Sequence, residues 1–161
     1  GIDLGEYAQY VGRVVDSPDD KMYPRVTMTT RRSLNGSLPT IHVRPLAYSH
    51  YTTYSDFLAV LKYHEGRHAM QFCKPYDGYP CSLREFMLTY LQREIDAVHN
   101  ELMNVHVLPH TPEYRTDTLM AWKEQLIVQD VIEKTSSIGL WFMNLPLIGV
   151  SSKLKRRLAN P

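Results

Sequence analysis

The sequence predicts an α+β domain, predominantly helical, with a small β-hairpin or sheet packed on a central helix. Three observations carry this expectation. Long proline-free stretches place apolar residues at helical intervals, two β-prone runs flank an Asn-Gly pair, and 161 residues suit a single domain with a real core. Hydrophobic residues at 43 % and charged residues at 22 % are typical of a globular chain and exclude extensive disorder. Eighteen Lys and Arg against seventeen Asp and Glu give a formal charge of +1, so no nucleic-acid partner is expected.

Residues 3–15 set Leu4, Tyr7, Val11, Val14 and Val15 at helical spacing behind Asp3 as an N-cap, which predicts a first helix. Ser17-Pro18-Asp19-Asp20 ends it. Val26–Thr30 and Pro39–Val43 are β-prone, and Asn35-Gly36 between them predicts a hairpin. From Ser55 to Phe72 no proline interrupts the recurrence of Phe57, Leu58, Leu61 and Phe72, and this is the central helix. Ser82-Leu83-Arg84-Glu85 fits a capping box, opening a helix whose apolar face runs through Leu83, Met87, Leu91, Val98, Leu102 and Val105. A further helix is predicted over Thr116–Lys134, with Leu119, Trp122, Leu126 and Val131 on its buried side.

The first residues show neither the basic region nor the apolar run of a secretory signal, and no segment suits a membrane span, so a soluble domain of open compartment is expected. Cys73 and Cys81 flank a turn-rich stretch short enough for a disulfide, with two reduced thiols the equal alternative. Ile138–Val150 is apolar but broken by Asn144 and Pro146, and Lys153, Lys155, Arg156 and Arg157 follow. Residues 138–157 are therefore expected to dock on the domain or on a protein partner rather than on a membrane.

His64-Glu65-Gly66-Arg67-His68 reads HExxH inside the central helix. Residues four apart differ by about 40° around a helix, so both imidazoles project from one face and can hold one ion. Glu65 stands about 100° from His64, near enough to reach a water at the metal without ligating it. Two ordinary core histidines are the alternative, but each ring would then need its own hydrogen-bond partners.

A catalytic zinc usually takes three protein ligands and keeps one position for water. Glu94 lies near the centre of the apolar stripe of its helix, where a carboxylate without a cation is costly. Glu101, seven residues later on nearly the same face, is the alternative third ligand or the acceptor for a ligand histidine's second N–H. Asp96 and His99 point away in the same projection. One zinc per chain is expected.

HExxH on one helix and a glutamate on the next resembles the gluzincin branch of zincin metallopeptidases, over roughly residues 38–102. Glu94-Ile95-Asp96-Ala97 resembles the glutamate motif of several such families, in which a small residue after the ligand lets the helices pack closely. Gln71 and Lys74 stand where a metzincin has glycine and a third histidine, both cysteines lie downstream of the motif, unlike a deformylase, and Arg93 replaces the asparagine of large gluzincins. The resemblance implies a zincin-like domain that hydrolyses a peptide or protein substrate. In that mechanism zinc activates water and polarises the scissile carbonyl, while Glu65 takes the water proton and passes it to the leaving nitrogen. It also implies a strand near Ile41-His42-Val43 that borders the cleft and pairs with peptide, unless that strand lies in the core. His106, His110 and Tyr114 follow the Glu94 helix and are the reachable oxyanion or proton donors. The alternative from another class is a non-catalytic structural or interaction module on the same fold, part of a larger assembly.

Overall fold

The structure, a computed structural model, describes residues 1–74, 82–104 and 110–135. Cys81, Val105, His106 and the segment 138–157 lie outside these, and the expectations placed on them with them.

Thr40–Val43 (β3) is the middle strand of a three-stranded sheet, parallel to Arg13–Asp16 (β1) and antiparallel to Met28–Arg31 (β2). Alternation explains its faces: Ile41 and Val43 are buried against the core, while His42 turns outward. The expected hairpin is β2 with β3, and Gly36 takes the left-handed backbone its turn requires, at φ 78°. The connection is longer than a two-residue turn; Asn35 organises it by accepting from Ser37.

The helix expected over 3–15 is not formed. Gly5–Tyr10 is a 3-10 turn, and the chain then extends into β1. At Gly12 a Cβ would stand 2.9 Å from the Leu38 carbonyl oxygen, so the backbone passes too close to a neighbour for a helix to surround it. Leu4, Tyr7 and Val11 still face the core, so their spacing reported burial correctly and secondary structure wrongly.

Pro45–His50 (α1) is a short helix that begins on proline after the extended Arg44, and its six residues were too few to show a period. Arg44 is buried, and its guanidinium donates to the Tyr23 and Val26 carbonyls and pairs with Asp20, fastening the segment that leads into β2.

The central helix runs unbroken in three parts: Tyr54–Ala59 (α2), a π-helical turn Val60–Glu65, and Gly66–Cys73 (α3). Thr53 caps it by accepting from the Asp56 amide at 3.1 Å. Leu61 and Ala69 bury its inner face in the core, Phe57 packs among the rings of Tyr48, Tyr51 and Tyr54, and each large apolar side chain so buried contributes about 1.5–3 kcal/mol.

Leu83–Asn104 (α4) starts as expected, with Ser82 Oγ accepting from the Glu85 amide. Pro112–Lys134 (α5) begins earlier than expected because Thr111 caps it and Pro112 takes its first position. The buried face of α5 also differs from expectation: Tyr114, Thr118, Ala121, Gln125 and Ile132 face inward, while Leu119 and Val131 are exposed. Two polar residues in the buried stripe led hydrophobicity to the neighbouring face, about 100° away. Leu91 and Ile132, with Ile95 and Val128, form a second core between α4 and α5.

The architecture is thus mixed α/β, mostly helical, with the small sheet packed on the central helix. No described helix is long and apolar enough to cross a membrane.

Candidate metal centre

A π turn closes hydrogen bonds five residues apart and widens the helix, a device that often redirects side chains at functional sites. Here it carries His64 and Glu65 in its last turn and hands the chain to α3, which carries His68. The two rings meet edge to face with centroids 4.9 Å apart.

Glu94 of α4 comes up beneath them. Its two oxygens stand 3.2 Å from His68 Nε2 and 3.6 Å from His64 Nε2, with its side chain 12 % exposed. One ligand atom from each of the three residues lies within 4.8 Å of the others. Ala97 is fully buried next to this contact, where its small side chain lets α4 approach the central helix.

The other ring nitrogens are held from behind. His64 Nδ1 stands 3.0 Å from Glu101 Oε2, and the second Glu101 oxygen accepts the Tyr114 hydroxyl. His68 Nδ1 stands 2.9 Å from Gln71 Oε1. Gln71 is itself oriented, because its amide N–H2 donates to the Arg93 carbonyl and to Asp96. With the oxygen of Gln71 so directed, it accepts from His68 Nδ1–H, and Nε2 is the ring atom that faces Glu94. Asp96 is fixed in turn by Arg67 through contacts of 2.8 and 3.0 Å, and that guanidinium lowers its carboxyl below the usual range.

Of the two glutamates weighed from sequence, the structure brings Glu94 to both Nε2 atoms and Glu101 to the back of His64. Asp96 and His99 point elsewhere, the latter against Trp122.

Glu65 is 5 % exposed and anchored by Thr30 of β2, whose hydroxyl donates to Oε2 at 2.7 Å and also reaches the Glu65 carbonyl at 3.0 Å. Three carboxylates, Glu65, Glu94 and Glu101, therefore converge on two imidazoles with little solvent. Burial opposes charge on His64, but the hydrogen bonds from Glu101 and Glu94 and the nearby carboxylates outweigh it and raise its pKa well above the ordinary value. Two imidazole nitrogens and a carboxylate form a donor set suited to zinc, and a dication would neutralise the excess negative charge.

Both groups line one cavity of about 510 Å³ between β2 and helices α4 and α5. Of the two places left open for Ile41-His42-Val43, the structure gives the core: β3 has partners on both sides, and it is β2, an edge strand, that borders the cavity. Two of the three residues weighed as oxyanion or proton donors, Tyr114 and His110, have other partners in the structure. Tyr114 spends its hydroxyl on Glu101, and burial with that nearby charge pushes its pKa up. The His110 side chain is fully buried with Nδ1 on Asp56 at 2.9 Å. Tyr51, missed in the sequence, places its hydroxyl in the cavity wall, 2.9 Å from Thr27 Oγ1, with its pKa raised by burial. Thr30 was missed as well, although its place on a predicted strand gave no signal of a partner 35 residues away. Cys73 is exposed, its thiol toward the Tyr10 carbonyl.

No protein-family model, curated protein or solved structure matches this chain.

Proposed function

We propose that this protein is a zinc-dependent peptidase with a zincin-like fold, in which His64, His68 and Glu94 hold the metal and Glu65 is the general base. The observation that carries the reading is the Glu94 carboxylate facing both Nε2 atoms while Glu65 lines the same cavity. A zinc bound there supplies a Lewis acid that brings the pKa of water toward about 7 and polarises a carbonyl.

The chain's own residues do the rest. Thr30 pins Glu65 Oε2, leaving Oε1 to accept the proton of the attacking water and return it to the leaving nitrogen. Glu101 and Gln71 accept from the Nδ1–H groups of His64 and His68, so the Nε2 atoms are the ones that would coordinate, and metal binding would release any proton held there. The outer edge of β2, which has no strand partner among the described residues, offers backbone groups to an extended peptide and aligns it along the cavity. Tyr51 lines the same cavity and is our candidate hydroxyl for steadying negative charge as the carbonyl is attacked.

Metal analysis and mass-spectrometric cleavage of a peptide mixture test this reading on wild type and Glu65→Gln. About one zinc per chain in both, with cleavage in wild type reduced at least ~100-fold in the variant, is expected. Cleavage that survives in Glu65→Gln overturns the assignment of the base. Zinc with no cleavage in either favours the non-catalytic module.

A further inference from the structure

Two cations meet on one ring in the cavity wall. The guanidinium carbon of Arg32 stands 5.1 Å from the centre of the Phe72 ring, and that of Arg93 stands 5.8 Å from it. Phe72 and Arg93 both line the cavity and are partly exposed, while Arg32 is exposed, so solvent and hence a ligand reaches all three. The same ring stacks on His68 at 6.2 Å, which keeps the Arg93 guanidinium within about 12 Å of a histidine of the metal centre.

The cavity therefore changes sign along its wall. Glu65, Glu94 and Glu101 surround the imidazoles, and guanidiniums gather at Phe72. Both cations are drawn to the electron-rich ring face, yet they lie within about 11 Å of each other and repel. An anion between them turns that repulsion into two attractions. A guanidinium presents five N–H donors in a fork that matches a carboxylate, so each can take one up beside the partners it already has. A Lys or Arg side chain would be repelled here, and an apolar one would cover the ring at the cost of desolvating two charges.

The edge strand supplies a ruler. Thr30 reaches Glu65, and Arg32, two residues later and about 6.6 Å further along an extended backbone, reaches Phe72. In an extended peptide lying along β2, residues two apart share a face, so the residue at the metal and the one at Phe72 both point toward the helices. We propose that the Phe72 end of the cavity is a subsite for a carboxylate of the substrate, held by Arg93 and Arg32. That the carboxylate belongs to a peptide rests on the peptidase reading above. Its two sources are an Asp or Glu side chain and a free C-terminus.

The test uses peptide pairs that differ only in Glu against Gln, scanned through three positions on either side of the cleaved bond, and pairs that differ only in a free against an amidated C-terminus. It is run on wild type, Arg93→Gln and Arg32→Gln, beside calorimetric binding of acetyl-Ala-Ala-Glu-Ala-Ala amide, its Gln counterpart and acetyl-pentaalanine with a free C-terminus to Glu65→Gln protein with and without Arg93→Gln. Wild type should favour the carboxylate member of one pair by about 10–100-fold in kcat/KM, mostly through KM, and Arg93→Gln should bring the ratio within about threefold. Zinc content should stay unchanged in both arginine variants, because Gln71 uses the Arg93 backbone carbonyl and not its side chain. A Glu preference lost in Arg93→Gln identifies a side-chain carboxylate, and a free-terminus preference lost there identifies the C-terminus. Cleavage with neither preference, or with a preference that both arginine variants retain, overturns the subsite and leaves the peptidase reading standing. Without cleavage, binding of a carboxylate peptide over the Gln counterpart that is lost with Arg93→Gln supports the subsite while the peptidase reading fails. Absence of both overturns both.

Discussion

Glu101 holds His64 by the nitrogen that faces away from the metal centre, 3.0 Å from Nδ1, and Tyr114 holds Glu101. The ring is oriented by a chain that starts on α5 and crosses α4, so under the proposed zinc reading residues that touch no metal would set how well His64 binds one. Glu101→Gln and Tyr114→Phe should each weaken zinc binding about 10–100-fold in chelator competition. Glu94→Ala removes a donor outright and should lose the metal altogether. Equal affinities in Glu101→Gln and wild type would show that the chain does not orient the ring.

Thr30 fixes the Glu65 carboxylate from the edge strand. Thr30→Val keeps the β-branched shape and removes the donor. It should lower kcat roughly tenfold, as expected for about 1.4 kcal/mol of lost positioning, while zinc content stays constant. Steady-state kinetics beside metal analysis on the same preparation read both.

Gly66, inside HExxH, packs against Tyr7. A Cβ there would lie 2.9 Å from both Cβ and Cγ of that tyrosine. Tyr7 is 2 % exposed and accepts a hydrogen bond from Asn100, so it has nowhere to retreat. Gly66→Ala should gain about 1 kcal/mol of helix propensity but lose about 1–3 kcal/mol to overpacking. A melting temperature a few degrees lower, by calorimetry, is the expected outcome.

His42 sits on the outer face of the sheet with Nδ1 2.6 Å from Ser17 Oγ. Burial, then the charges of Arg31, Arg44 and Arg13, lower its pKa below the ordinary value. The unfolded chain therefore binds the proton more readily, and stability is lost as pH falls below about 6.5 toward the folded-state value. His42→Gln should flatten that part of the stability-against-pH curve in urea titrations at pH 7.5 and 5.5. An unchanged slope would exclude His42 as its source.

The features most legible in the sequence were those whose physics is local. HExxH needs only helical spacing to put two rings on one face. Ser82 announces α4 through its own side chain, and a glutamate in an apolar stripe implies something to neutralise it. What was illegible depends on distant partners. Gly12 forbids the first helix through Leu38, α5 turns polar residues inward because Thr118 and Gln125 face the cavity, and the anchor of Glu65 comes from a strand 35 residues earlier. His110 and Tyr114 were judged by proximity in sequence, whereas Asp56 and Glu101 decide where their polar atoms point.

The π turn at Val60–Glu65 divides the central helix into two parts whose azimuths are set separately. It amounts to one extra residue accommodated within an α-helix: in regular α geometry an added residue would turn everything after it by about 100°, and the wide turn takes that residue up instead. Upstream, Phe57 and Asp56 are seated in the domain; downstream, His68 and Phe72 address α4 and the cavity. A one-residue deletion at Lys62 would therefore be absorbed as a return to regular α geometry, with both flanking parts still in their seats. What would change is the aim of the side chains on the wide turn itself, His64 and Glu65.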